Sequence, residues 1–322
     1  MNDLRPSLRR RCARRPETSS GQLRRYAHHL LLALLCALGA CADEGRRTPD
    51  STTLSVVDDA GRTVALTEPA HRIVACSPDA AEVVAALDAE LLVGRSSFAD
   101  HPPEILELPV VGDFSHPDPE LIAALRPDLV ILAGLEQAPL LAKLDTLGLT
   151  AYVHQPAKLT DLVEALRRLG ILLDRRETAA TSAAELERTL AEAASRRPAV
   201  PPRVYLEISA EPLMAACRGS LQHDLLTAVG AVNVFAELPR AYHRVEPEAV
   251  LAAAPEIIIL LDGATNPADV ESRTGWGELP AVRRGRVYSL DPDLHTRAGP
   301  RIVAALKDLS AIVNDYKNGL EP

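Results

Sequence analysis

The sequence predicts an α/β protein of two lobes joined by one long helix. Three observations carry this prediction. Short unbroken apolar runs alternate with helix-forming segments between about residues 73 and 153; the alternation restarts at residue 203; and the stretch between them, 174–197, holds no Gly or Pro until Pro198, Pro201 and Pro202 stop it. Strands buried on both faces read as continuous apolar runs, so the alternation specifies parallel sheets covered by helices on either side, a Rossmann-like layering in each lobe. The stretch 174–197, rich in Ala, Glu, Leu and Arg, is expected as a single helix of roughly 36 Å at 1.5 Å per residue. Two such lobes on one rigid helix imply a ligand cleft between them.

The elements follow in chain order. Residues 1–40 carry eight arginines against Asp3 and Glu17, then the apolar run 30–38, then the small residues of Leu38-Gly39-Ala40-Cys41. This is the order of an export signal, and the run is too short to span a bilayer as a helix. The junction looks like a lipoprotein processing site, in which Cys41 would be lipidated and become the new N-terminus. A plain secretory signal with a chance cysteine is the alternative, and Arg24-Arg25 fits either a twin-arginine signal or an ordinary basic region. Residues 41–53 are expected as a flexible tether. Runs at 54–57 and 63–66 flank Asp58-Asp59-Ala60-Gly61-Arg62, a hairpin signature with Gly available for positive φ. In the first lobe, 54–173, strands are expected at 73–75, 91–94, 128–132 and 150–153, with helices at 80–87, 119–125 and 139–147. The interlobe helix, 174–197, leads to the second lobe, 198–322. There strands are expected at 203–208, 257–261 and 287–290, and helices at 221–229, 247–253 and 300–314.

Composition narrows the function. Without residues 1–40 the chain keeps 27 basic against 42 acidic residues, a formal charge of −15. Nucleic acid and anionic lipid surfaces are recognised by clustered Lys and Arg, which this chain lacks after Cys41. Only Cys76 and Cys217 follow Cys41, too few for a disulfide scaffold. Stability must therefore come from packing in a chain of about 280 residues, enough for two modest domains.

Catalytic signatures are missing: there is no GxSxG elbow, HExxH, Walker loop or GxGxxG after a strand, and Gly275-Trp276-Gly277 reads as a loop. The histidines at 71, 101, 116, 154, 223, 243 and 295 are scattered singly, without zinc-site spacing. His101, His116, His243 and His295 fall in segments expected as loops that could face the cleft. Acidic residues open helices in both lobes, as Asp118-Pro119-Glu120 and Glu246-Pro247-Glu248. They complement the helix dipole, or else offer one docking carboxylate per lobe to arginines on a partner.

Several motifs then follow in order: Asp58-Asp59-Ala60-Gly61-Arg62; Arg72-Ile73-Val74-Ala75-Cys76-Ser77-Pro78 with Glu82; Leu92-Val93-Gly94; Leu125-Arg126-Pro127-Asp128-Leu129-Val130; and Gly285-Arg286-Val287-Tyr288. Together, over essentially all of 54–315, they resemble the helical-backbone substrate-binding proteins of ABC importers for cobalamin and iron complexes. The resemblance implies a binding protein rather than an enzyme, with no resident cofactor or metal, that delivers its ligand to membrane permease subunits. Within the family the nearer likeness is to the cobalamin-binding members. Ser96-Ser97-Phe98-Ala99-Asp100-His101-Pro102-Pro103 resembles their first cleft loop, and Phe114 and Tyr242 fall where they place ring contacts. Asp293 and Arg297 match an Asp and Arg pair that reaches the ligand, and Glu120 and Glu248 match the permease-docking glutamates. A corrin ring, apolar on its faces and fringed by amides, suits rings with a few polar groups. Core packing of Phe98 and Phe114, and a plain surface ion pair of Asp293 with Arg297, are the alternatives.

Departures from the family pattern bear on the ligand. Ala133 and Met214 stand where cobalamin binders carry bulky aromatics, and Val229 and Ser310 stand where a disulfide is expected. Gly112 is followed by Asp113 where heme-binding relatives offer a tyrosine. The expectation is a monomeric, lipid-anchored protein on the periplasmic or cell-surface side that carries a corrinoid, with a ferric siderophore as runner-up. The lobes are expected to close only a little on binding. A metal-ion receptor using the loop histidines, and a lipoprotein that has lost transport, are the other classes.

Overall fold

A computed structural model of the chain describes residues 53–318; the export signal, Cys41 and nearly all of the tether lie outside the described residues. The hairpin forms as expected, β1 (Leu54–Val57) pairing antiparallel with β2 (Thr63–Leu66). Its turn is held by buried Asp58, whose Oδ1 accepts from the Ala60 and Arg62 amides at 3.1 and 2.8 Å, with Gly61 at φ +76°.

The first lobe alternates β3 (Ile73–Ala75), α1 (Pro78–Asp88), β4 (Leu92–Arg95), α2 (Pro119–Ala124), β5 (Leu129–Ala133), α3 (Ala138–Thr146) and β6 (Ala151–His154). The sheet runs β4-β3-β5-β6, all parallel. Every residue of β3, β5 and β6 is buried, the physical content of an unbroken apolar run. Chain order reverses beside β3, so a crevice opens at the carboxyl ends of β3 and β5.

Helix α4 (Leu159–Leu172) packs on the first lobe, and the long α5 (Arg176–Ser195) then joins it to the second. Helix α4 is additional to the expected elements: its Leu159, Leu162, Leu166, Leu169 and Leu172 recur at helical spacing and are buried. The long helix is shorter than expected. Asp174 adopts φ +52°, a left-handed conformation that breaks the chain between the two helices, and the C-terminal end stops at Ser195 ahead of Pro198. Twenty residues give about 30 Å. Buried Ala179, Ala183, Leu186 and Ala193 lie on α5, which packs on α4 and the C-terminal helix, and Gly170 of α4 lies so close that a Cβ there would clash with the Ala179 Cβ.

The second lobe comprises β7 (Arg203–Ala210), β8 (Leu213–Ala216), α6 (Leu221–Ala228), β9 (Val232–Asn233), β10 (Tyr242–Arg244), α7 (Pro247–Ala253), β11 (Ile257–Leu260), α8 (Pro267–Glu271), α9 (Pro280–Arg283), β12 (Val287–Ser289), α10 (Pro292–Thr296) and α11 (Ile302–Asn318). Its sheet runs β10-β8-β7-β11-β12, with β9 also on β7. The β7-β11-β12 part is parallel as expected; β8 and β10 add an antiparallel edge that the sequence did not announce.

Period-two alternation sorts the core into layers. Ile73, Leu129, Ile131, Val204, Leu206, Ile257 and Ile259 join one apolar cluster that runs through both lobes by way of α4, α5 and α11. Their neighbours Val74, Val130 and Leu132 line the outer layer of the first lobe. Tyr205, Ile258 and Leu260 line that of the second, around the only tryptophan, Trp276. A core shared by both lobes opposes their separation, because hinge opening would expose it to water.

Candidate functional site: the interlobe cleft

Strand ends build the cleft. Pro78 and Asp79 follow β3, Ala133, Gly134 and Glu136 end or follow β5, and His154, Gln155, Pro156 and Ala157 end or follow β6. The facing lobe contributes Gly219 to Leu221 after β8, Tyr242 at the start of β10, and the segment from Asp293 to Ala298. The space enclosed is about 690 Å³, within the roughly 300–1,000 Å³ of small-molecule and cofactor sites.

All five residues expected to meet a ligand line this one cleft: Phe98, Phe114, Tyr242, Asp293 and Arg297. The phenylalanines are not core residues. Phe98 is 61% exposed, and Phe114 is half-buried on the cleft wall. Buried Gln137 fixes the loop that carries Phe114: its Oε1 accepts from the Ala133 amide at 2.8 Å, and its Nε2 donates to the Cys76 and Phe114 carbonyls at 2.9 and 2.7 Å. Across the cleft the Tyr242 hydroxyl donates to Gln222 Oε1 at 3.0 Å. Burial pushes the Tyr242 phenol up, the Gln222 bond pulls it back, and the Glu136 carboxylate of the opposite lobe adds to the rise.

Asp293 and Arg297 pair at 2.7 Å, but theirs is no isolated surface ion pair. Arg297 also reaches Asp100 Oδ1 at 2.7 Å and Glu82 Oε1 at 3.0 Å, and Arg301 donates to the two Glu82 oxygens at 2.9 and 2.5 Å. The Glu82 side chain is only 2% exposed, and it belongs to α1 of the first lobe, whereas both arginines belong to the second. Gly299 passes directly over it: a Cβ there would lie 3.0 Å from Glu82 Oε2. His154 makes a second crossing, its Nε2 donating to the Ala298 carbonyl at 2.8 Å. The segment 293–301 is thus bonded to both lobes and forms the wall where they meet.

None of His101, His116, His243 and His295 lines the cleft; His154 does. His295 is instead buried within α10. A parallel strand delivers its last residues to the crevice, so the strand end at 151–154 was the signal for His154 and Gln155. Among the described residues no group of three or more His, Cys, Asp or Glu is arranged to hold a metal ion. Cys76 and Cys217 are buried free thiols, pushed up by that burial to about 12 and about 11, where a thiol is inert.

Outside the cleft, Glu120 and Glu248 each stand in the first turn of a short helix opened by Pro, α2 and α7. Both are exposed. Asp118 caps α2 through the Glu120 and Leu121 amides at 2.9 and 3.1 Å, and Glu120 pairs with Lys143 at 2.8 Å.

Residues 73–294 match the family model described as periplasmic binding protein. The chain belongs to the periplasmic binding protein family. The vitamin B12-binding protein of Salmonella typhi is 32% identical over 246 residues, 74% of this chain and 89% of that one. The crystal structure of the periplasmic vitamin B12 binding protein BtuF of Vibrio cholerae has a TM-score of 0.69 at 28% identity, covering 77% of this chain and 98% of that one. The periplasmic heme-binding protein RhuT from Roseiflexus is similarly near, with TM-score 0.68, 27% identity and coverage of 77% and 99%. As a periplasmic binding protein the chain has the two-lobe fold of these relatives, and the family is one of transport binding proteins rather than enzymes. No helix among the described residues is long and apolar enough to cross a membrane.

Proposed function

We propose that this protein is the lipid-anchored, extracytoplasmic binding component of an ABC importer, and that its ligand is cobalamin or a related corrinoid. The observation that carries the reading is the cleft itself: Phe98 and Phe114 from one lobe and Tyr242 from the other offer ring surfaces around a 690 Å³ space. Flat aromatic surfaces stack on a broad apolar macrocycle, and the exposed Gln155 and Thr296 bring polar side chains to the same walls for a fringe of amides. The relatives named for vitamin B12 support this choice over heme, since structural likeness alone is nearly equal for the two ligands. Ala133, small and on the wall, leaves fewer rings than the resemblance implies. In this reading Phe98, Phe114, Tyr242 and the Asp293–Arg297 wall hold the ligand, Glu120 and Glu248 dock the permease, and Cys41 carries the lipid.

Calorimetric titration of residues 42–322 with cyanocobalamin tests it. Submicromolar one-to-one binding is the expected result; no heat and no shift in melting temperature refute the corrinoid. In cells, charge reversal at both Glu120 and Glu248 is expected to abolish uptake without changing affinity. Undiminished uptake refutes the docking assignment.

A further inference from the structure

The charges around the cleft are unbalanced. Among its lining residues Arg297 is the only Lys or Arg, while Asp79, Glu136 and Asp293 supply carboxylates. Arg297 is not available to a ligand's anion, because Asp293, Asp100 and Glu82 already surround its guanidinium at 2.7, 2.7 and 3.0 Å. Arg301 behind it is engaged by Glu82. Three carboxylates thus occupy the two guanidiniums, while Asp79 and Glu136, which take no part in that network, stand on the cleft wall where β3 and β5 end. The Glu136 charge reaches Tyr242 on the other lobe, so its field crosses the space a ligand would fill.

We infer that this cleft selects its ligand by charge, with Asp79 and Glu136 as specificity-determining residues: it takes planar macrocycles whose rim is neutral or cationic and disfavours those bearing free carboxylates. The inference rests on the corrinoid reading and sharpens it. A ligand fringed by amides meets acceptors for its N–H groups on these walls, whereas a porphyrin with two propionates, or an iron chelate built from carboxylates, brings anions to a surface with no unpaired cation. A carboxylate entering such a partly desolvated, like-charged site loses water without gaining a counter-ion. A cation gains both the acidic rim and the faces of Phe98, Phe114 and Tyr242.

The decisive probe changes one charge on one scaffold. Cyanocobalamin and its monocarboxylic acid, in which a single peripheral amide is hydrolysed, have nearly the same shape and differ by one negative charge at pH 7. Binding of a negative charge held about 8 Å from each carboxylate through a largely aqueous path is weakened roughly two- to threefold by each. At low ionic strength the acid is therefore expected to bind about three- to tenfold more weakly by calorimetry. The gap should shrink at about 0.5 M salt, where exposed charges are screened, and should approach unity in the isosteric double variant Asp79→Asn, Glu136→Gln. Equal affinities at low salt, or a gap untouched by both salt and the double variant, overturn charge selection and leave the corrinoid reading standing. Failure of both corrinoids to bind overturns that reading and this inference with it.

Discussion

Replacing Glu82 by glutamine tests the bond that joins the lobes behind the cleft. The carboxylate is buried and accepts three hydrogen bonds from Arg297 and Arg301. Removing one partner of a buried ion pair costs about 3–5 kcal/mol when the survivor is left without compensation. Here compensation is partial. Arg297 keeps Asp100 and Asp293, the Arg301 side chain is 27% exposed and can regain water, and glutamine retains one acceptor in the same volume. The expected loss is therefore about 2–3 kcal/mol. For a chain of this size each kcal/mol lowers the midpoint by about 2–4 °C, so Glu82→Gln should melt roughly 4–12 °C below the parent protein. Circular dichroism melts, with urea titrations of Glu82→Gln, Arg301→Met and the pair, give both the shift and the coupling. Contacting residues in one network are expected to couple by about 0.5–3 kcal/mol. A shift under about 1 °C, or strict additivity of the two substitutions, refutes an interlobe bond that stabilises the fold.

Two further outcomes follow from the packing and from the same network. Gly170→Ala places a methyl group against the Ala179 Cβ and must push α4 from α5; overpacking of this kind costs about 1–3 kcal/mol in urea titrations, and an unchanged midpoint would show that the helices separate freely. Asp100 is held below the usual carboxylate range by its hydrogen bond from Arg297, an effect that outweighs burial. A lowered folded pKa contributes stability that is complete above the unfolded value of about 3.9 and is lost as pH falls through the folded value. Asp100→Asn should therefore be less stable than the parent at pH 7, with a deficit that shrinks as pH falls below about 3.9, and a deficit that does not change with pH would contradict the assignment.

Much of the fold is local physics, and the sequence determined it. Unbroken apolar runs placed β3, β5, β6, β7 and β11 to within a few residues, because a strand covered on both faces has no other way to be written. Proline behind an acidic cap placed the starts of α2 and α7, since Pro at the first turn and a carboxylate at the dipole are favourable before any tertiary contact exists. Helix α4 stands outside the expected elements although its leucine spacing is helical. The antiparallel strands β8 and β10 were not legible, because they exist by pairing with β7 and each other rather than by a strong pattern of their own.

The cleft divides in the same way. Its rings and the Asp293–Arg297 pair could be found along the chain by their resemblance to a family's motifs, and the family itself was legible in those ordered motifs. That Arg297 is already surrounded by carboxylates could not be found, because Glu82 lies 215 residues away in sequence and Asp100 lies 197. Contacts of that separation are fixed by how two sheets and α5 pack, and no local signal encodes them. The chain alone therefore determined the parallel strands and most helices of both lobes and, through a family's motifs, pointed to the aromatic residues of the cleft. Only the tertiary structure decided that the cleft's one arginine is occupied, that Asp79 and Glu136 stand on the cleft wall, and that the two lobes are bonded together behind it.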